Sequence, residues 1–326
     1  MEQALYHPVQ GYYGPKPRRI GRGGDFYTAV SVGPLYGKLL GHLAEQTYQE
    51  MGHPADFVII EQAAHDGQLA EDILSTVDKP YLIVEPNPRY EAVQRQRLAP
   101  FGDRVRWVSS LSAVPAVTAF YLCNELPDAM PVHLVQWDGT AWKELYVQAQ
   151  EDHRPGLIPG PPSTERLARE LTGLPQDLPA GYTTEVNLAA MDWIVELAAS
   201  PFRGTIYIAD YGYDAAELYS PERNTGTIRR YRNHQTDDRV LEDLGECDLT
   251  THVNFTRLIE VAESSGMKQQ TYELQGRFLG KLGLPWLAGL EGKMDSETQA
   301  LLRQYHSLTH PAFMGRLFRV LLLNKA

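Results

Sequence analysis

The sequence predicts an α/β protein built on a parallel, doubly wound sheet, and three observations carry that prediction. Short apolar runs alternate with segments of helical period between residues 57 and 123. The first run, in FVIIEQAAHDGQLAEDIL (57–74), ends in an acid, turns tightly around one glycine and continues as a helix. After a stretch that keeps neither period, a further apolar run, TIYIAD (205–210), resumes the sheet.

In chain order, residues 1–30 are rich in Tyr, Gly and Pro without any period and are expected to form loop or cover. Ser31 is placed to cap a helix in which Leu35, Leu39, Leu40, Leu43 and Tyr48 recur at three- and four-residue steps, with Gly52 as its stop. Strands follow at 57–61, 81–85, 105–108 and 119–123, with helices from Gln68 and over 89–98 between them. The rhythm breaks at a hairpin over 132–148 that turns at Asp138-Gly139, and at a short helix, 165–171, among several Pro and Gly. A helix over 185–199, the strand 205–210 and an arginine-containing loop to about Thr251 come next. A helix over 255–264, a strand over 268–274, a helical excursion and a strand over 317–323 complete the chain. The organisation expected is a cover and helix (1–52), a core (53–130 and 182–326) and an insertion (131–181).

The 326 residues suit one large domain with an added part. A net charge of -11 repels a phosphate backbone unless basic residues cluster on one face, which argues against nucleic acid. Cys123 and Cys247 lie far apart and outside any CxxC pattern, so neither a disulfide framework nor a thiolate metal site is expected. No basic-then-apolar leader and no apolar run of membrane-spanning length is visible, and the expectation is a cytoplasmic protein that does not enter a membrane. HExxH, GxSxG and P-loop patterns are absent from the sequence, which leaves metal-assisted hydrolysis and NTPase chemistry unsupported.

Ten blocks, in order along nearly the whole chain, resemble the MidA-type S-adenosylmethionine-dependent methyltransferases. They are ALYHPVQGYYG, GDFYTAVSVGPLYGKLLG, IEQAAHDGQLAEDIL, VEPNPRYEAVQRQRL, NELPDAMPVH, ADYG, GTIRRY, DLTTHVNF, QGRFLGKLG and MGRLFRVL. The resemblance implies a class I methyltransferase fold with a mostly helical addition, S-adenosylmethionine as cofactor, and a protein acceptor modified on an arginine nitrogen. Homodimer assembly is an open expectation. Family members read E-x-G-x-G-x-G after the first strand; here Ala63 and His65 stand at the first two glycines and Gly67 at the third. That departure carries the alternative of a methyltransferase-fold assembly factor without turnover. A nicotinamide dehydrogenase ranks lower, because GxGxxG is not present at this turn.

Candidate cofactor residues on this reading are Asp25, Thr28, Glu61, Ala63, Gly67, Glu85 and Asn124. Glu85 ends the second strand, where an acid accepts hydrogen bonds from both ribose hydroxyls. Glu61 either meets the cofactor ammonium or pins the turn by accepting backbone N–H groups. Asp25 and Thr28 belong to a loop that, by resemblance, folds over the cofactor. Glu125 and Asp128 are the candidate catalytic acids, because carboxylates hold a planar guanidinium and aim a nitrogen at the methyl. Asp210 and His252 are candidates for the same cleft, while a lone His is more often structural. Arg229, Arg230 and Arg232 read as a solvated basic loop or as a docking place for an acidic segment.

Overall fold

An apolar run without alternation is stable where both faces of a parallel sheet are covered, and the centre of the sheet is where Phe57–Gln62 (β1) lies. The structure is a computed structural model that describes residues 1–14, 28–151, 155–232, 235–290, 292 and 295–326. The chain opens with α1 (Glu2–Tyr6), a 3-10 turn at Val30–Val32 and α2 (Leu35–Glu50). After β1 come α3 (Gln68–Leu74), β2 (Tyr81–Val84), α4 (Pro88–Arg97), β3 (Val105–Val108) and β4 (Thr118–Asn124). The next stretch holds β5 (His133–Trp137), β6 (Trp142–Ala149), β7 (Pro155–Gly160), α5 (Glu165–Thr172) and β8 (Thr183–Val186). Then α6 (Leu188–Ala199) and β9 (Arg203–Tyr213) return to the main sheet, followed by α7 (Ala215–Leu218), β10 (Arg229–Arg232), β11 (Gln235–Asp237) and β12 (Asp248–Thr250). The last part runs β13 (Val253–Asn254), α8 (Phe255–Ser264), β14 (Lys268–Leu274), α9 (Gln275–Leu282), α10 (Leu284–Ala288), α11 (Ser296–Thr309) and β15 (Phe318–Lys325).

The main sheet has the order β14-β15-β9-β4-β1-β2-β3, with β13 paired to the end of β9. β15 is antiparallel to both its neighbours, and the β9-β4-β1-β2-β3 pairs are all parallel. The chain therefore winds from β1 outward through β2 and β3, then returns to the other side of β1 with β4. That reversal opens a crevice at the carboxyl ends of β1 and β4. Two apolar layers cover the sheet, one supplied by α2, α3, α9 and α11 and the other by α6, α8 and the β5–β8 region. The α2 layer sits close: a Cβ on Gly37 would collide with Asp72 and one on Gly41 with Thr76, so the GxxxG spacing lets α2 lie on α3.

Three local expectations differ from the structure. Ser31 does not cap α2; it exchanges hydrogen bonds with Thr28 across the 3-10 turn (2.9 and 3.1 Å), and the Leu35 N–H is instead met by Gln304 Oε1 at 3.0 Å, from α11. Glu185 belongs to β8 rather than to a helix, because the cap of α6 is Asn187, whose Oδ1 accepts from Ala190 N at 2.8 Å. The segment up to Thr251 is not a plain loop, since β11-β10-β12 form a three-stranded sheet. Its arginines are satisfied within the chain: Arg230 pairs with Asp237 at 2.7 Å and Asp243 at 3.0 Å, and Arg232 with Asp243 at 2.8 Å. The acidic segment that meets this basic strand is the protein's own. The inserted stretch is chiefly strand, in a β7-β6-β5-β8 sheet with α5 beside it, and the helical addition is α9–α11.

Candidate active site

The crevice at the switch point is the mouth of a cavity of about 1330 Å³. Ordinary small-molecule pockets measure roughly 300–1,000 Å³, so this one has room for a cofactor and part of a second reactant.

At one end lies the turn after β1. Ala63, His65 and Gly67 all take left-handed backbone conformations, with φ of 64°, 46° and 82°. The conformation a glycine-rich turn would adopt is thus kept without two of the glycines. Surrounding bonds hold it: Arg97 donates to the carbonyl of Asp66 (2.9 Å) and pairs with its carboxylate (2.7 Å), and Gln94 Nε2 donates to the carbonyl of His65 (2.9 Å). Burial works against the Asp66 charge, yet His65 and Arg97 outweigh it and hold the carboxyl at about 2. The His65 ring packs on Tyr90, centroids 5.2 Å apart, and no described residue bonds its Nε2.

Two acids face this end. Glu61 is buried, accepts from the Tyr81 hydroxyl at 2.8 Å, and is pushed up to about 8 by burial. A cation beside it would offset that burial cost. Glu85, also raised by burial, accepts from Asn87 N at 2.8 Å through Oε1 and from Gln94 Nε2 at 2.9 Å through Oε2. Each oxygen keeps a further lone pair for a ribose hydroxyl. Gln94, fully buried, was not legible as a site residue: only the packing of α4 shows that it joins Glu85 to the turn.

At the other end, Asn124 bridges Tyr36 and Glu125: its Oδ1 accepts from the Tyr36 hydroxyl and its Nδ2 donates to Glu125 Oε1, both at 2.8 Å. Glu125 sits at φ 54° and its N–H donates to Ala209 O at 2.9 Å, so the chain turns sharply as it leaves β4. Burial raises its carboxyl well above the usual range, and burial together with the charge of Asp248 raises Asp128. The Asp248 carboxylate lines the same cavity, as do Tyr6, Tyr13, Tyr211 and Tyr231. Asp248 and the two N-terminal tyrosines were missed in the sequence; they lie inside the quoted DLTTHVNF and ALYHPVQGYYG blocks, but nothing in their spacing indicates a shared cavity.

The other candidates fall as follows. Thr28, Glu61, Ala63, Glu85, Asn124, Glu125 and Asp128 line the cavity. Gly67 contributes its backbone conformation as the residue before α3. Asp210 is fully buried behind the wall, where one oxygen accepts from Asp128 N (3.1 Å) and the other from Tyr211 N (2.7 Å), so it holds the Asp128 turn. His252 also stands off the cavity, stacked behind Tyr211, and burial with Arg223 and Arg229 lowers it to about 4. Asp25 lies outside the described residues.

The N-terminal segment straddles both ends. Asn87 Nδ2 donates to Tyr13 O (2.9 Å) and Arg89 to the carbonyls of Gly14 and Pro8 on the cofactor side. The Tyr6 hydroxyl donates to Ala129 O (2.9 Å) and that of Tyr13 to Asp248 Oδ2 (2.8 Å) on the other. Among the described residues no group of side chains could hold a metal ion, and no helix is long and apolar enough to cross a membrane.

A left-handed turn at a switch point, an acid with free lone pairs at the end of β2 and a second buried acid able to meet an ammonium together fit S-adenosylmethionine. Comparison with known proteins points the same way. Residues 39–273 match the family described as "Putative S-adenosyl-L-methionine-dependent methyltransferase". The chain is 28% identical to the mitochondrial protein arginine methyltransferase NDUFAF7 homolog of Drosophila melanogaster, over 98% of this chain and 79% of that one. It is equally 28% identical to mitochondrial NDUFAF7 of Xenopus tropicalis, over 98% and 80%. A crystal structure from Burkholderia thailandensis with S-adenosyl-homocysteine bound superimposes with a TM-score of 0.88 at 28% identity, covering 99% of this chain and 86% of that one. The match over 39–273, on a sheet and turn built as described, places this chain in the MidA-type family of S-adenosylmethionine-dependent methyltransferases.

Proposed function

We propose that the methyl acceptor is an arginine side chain of a protein. The observation that carries this reading is the chemistry of the cavity beyond the cofactor end, where Glu125 and Asp128 stand with the stacked rings of Tyr6 and Tyr13 (centroids 5.8 Å, 23° apart). A guanidinium is planar, cationic and well suited to carboxylates on its edge and aromatic rings on its face. The names of the relatives above, protein arginine methyltransferases, support the same class.

S-adenosylmethionine supplies an electrophilic methyl on a sulfonium. The chain's part is to position. Glu61 and Glu85 would hold the cofactor's ammonium and ribose, and the Tyr36–Asn124–Glu125 relay fixes the Glu125 side chain in the cavity wall, where an acceptor nitrogen would lie. An in-line displacement is governed mainly by such placement, which is worth several orders of magnitude in effective concentration. We further propose that the chain acts in a reducing compartment such as the cytoplasm, a reading supported by free, buried Cys123 and Cys247.

The test is to incubate the protein with methyl-labelled S-adenosylmethionine and arginine-containing protein fractions, and to locate the label by mass spectrometry. Methylarginine is expected, and label confined to lysine, histidine or carboxyl groups overturns the arginine assignment.

A further inference from the structure

Gln62 is the last residue of β1, and its backbone is paired on both sides, with Val84 of β2 and Cys123 of β4. Successive side chains of a strand leave by opposite faces of the sheet. Glu61 accordingly turns to the layer that holds Tyr81, whose hydroxyl meets it, and Gln62 to the layer that holds Trp193 of α6. There the Gln62 Oε1 accepts from two donors, the Tyr121 hydroxyl at 2.6 Å and the Trp193 indole at 3.0 Å, and both rings are buried. An indole nitrogen can only donate, so the oxygen must be the inward atom and the direction of the amide is settled. Its Nε2 donates to none of the described residues, is not sealed in the core, and belongs to a side chain that lines the large cavity. The other amide side chains on that wall already donate within the chain: Gln68 to Asp72, Asn87 to the Tyr13 carbonyl and Asn124 to Glu125. Gln62 thus presents a pair of N–H donors, held in one direction by buried partners, at the end of the strand that carries Glu61. The pattern E-x-G-x-G-x-G leaves this position open, so the resemblance gives it no role.

We propose that Gln62 is a cofactor-binding residue whose Nε2 amide donates to the carboxylate of the cofactor's amino-acid head, while Glu61 meets the ammonium of the same head. The proposal concerns the cofactor and is independent of the arginine reading above. The ammonium and carboxylate of that head share one carbon, so a site that takes the first at Glu61 needs a donor close by for the second. Gln62 follows Glu61 directly in the chain. The adenosine end is drawn the other way, toward Glu85 on β2. An amide adds no net charge beside Glu61, so the two residues together select a zwitterionic head over one that carries the ammonium alone. Tyr121 and Trp193 touch no part of the cofactor in this arrangement; they aim the amide that does.

Calorimetry on the parent and Gln62→Glu tests this with two ligands: S-adenosylhomocysteine, and its decarboxylated analogue S-adenosyl-3-thiopropylamine, which keeps the ammonium, the sulfur and the adenosine. The glutamate still offers an oxygen to Tyr121 and Trp193 and lacks the N–H donors, and thermal unfolding reports that the variant is folded. Gln62→Glu is expected to bind S-adenosylhomocysteine about tenfold or more weakly, because a charge-assisted contact is lost and one carboxylate then faces another. Its affinity for the analogue is expected to stay within about threefold of the parent's, a change smaller than one such contact. Equal losses for both ligands would put the donor on the adenosine or make its role structural, and parent-like affinity for S-adenosylhomocysteine would remove it from the site; either result overturns the proposal. If the parent binds neither ligand, the cofactor assignment fails and the proposal with it. A crystal structure of the parent with S-adenosylhomocysteine decides the matter even where Gln62→Glu does not fold. The Gln62 Nε2 is expected about 2.7–3.2 Å from a carboxylate oxygen, and a separation beyond about 3.5 Å overturns the proposal.

Discussion

Gln94 and Glu85 form a buried contact at 2.9 Å that ties the acid at the end of β2 to the turn after β1, because the same amide also donates to the carbonyl of His65. The Gln94 oxygen is occupied as well, accepting from the Trp107 indole at 3.0 Å. Replacing Gln94 by Leu takes a partner from the buried Glu85 carboxyl and from two half-buried groups, the His65 carbonyl and the Trp107 indole, and a buried group left unpaired costs about 1–3 kcal/mol. Calorimetry with S-adenosylhomocysteine is expected to show affinity reduced about tenfold or more. Parent-like affinity would mean that Glu85 is oriented without Gln94.

The two ends of the cavity separate by mutation. Glu85→Ala is expected to weaken cofactor binding, since it removes the acceptor for the ribose hydroxyls. Asp128→Ala is expected to leave cofactor affinity near that of the parent while slowing transfer by about 100-fold, the scale of a misplaced reactant. Filter binding alongside single-turnover transfer reads both. Loss of cofactor binding in Asp128→Ala would remove the division into a cofactor end and an acceptor end.

Ala63 holds φ 64°, where a non-glycine residue costs about 1–2 kcal/mol. Glycine costs the folded state roughly 0.5–1 kcal/mol of chain entropy. Ala63→Gly is therefore expected to raise stability by about 0.5–1 kcal/mol in urea unfolding. His65→Gly gains less, because it also forfeits the ring contact with Tyr90. Destabilisation by Ala63→Gly would show that the alanine methyl packs rather than strains.

Stability should depend on pH through Glu61. Burial raises this group from 4.5 to about 8, with the Tyr81 hydroxyl pulling the other way. Between those values the folded state binds the extra proton, so the free energy of unfolding falls as pH rises. The contribution is complete below about 4.5 and gone above about 8. In Glu61→Gln, which keeps an acceptor for Tyr81, the decline across that window is expected to be shallower than in the parent. Parallel curves would place the titration elsewhere.

Strands β1–β4, β9, β14 and β15 and helices α2–α6 and α8 were legible because their signals are local, as in the apolar run of β1 and the helical spacing of Leu69, Ala70, Ile73 and Leu74. What was not legible depends on residues far apart in the chain. The partner of the Leu35 N–H is Gln304, and β10–β12 read as loop because Arg230 is buried through acids that follow it. The site divides in the same way. Glu61, Glu85, Asn124, Glu125 and Asp128 end strands or begin the turns after them, where position alone marks them. Gln94, Asp248, Tyr6 and Tyr13 reach the cavity region only through tertiary packing, and no period in the sequence encodes that.

The N-terminal segment binds to Asn87 and Arg89 on one side and to Ala129 and Asp248 on the other. A shift of this segment at one end therefore disturbs its contacts at the other, which joins the cofactor end to the acceptor end. Linkage then requires the exchange to be mutual: the factor by which cofactor tightens the acceptor equals the factor by which acceptor tightens the cofactor.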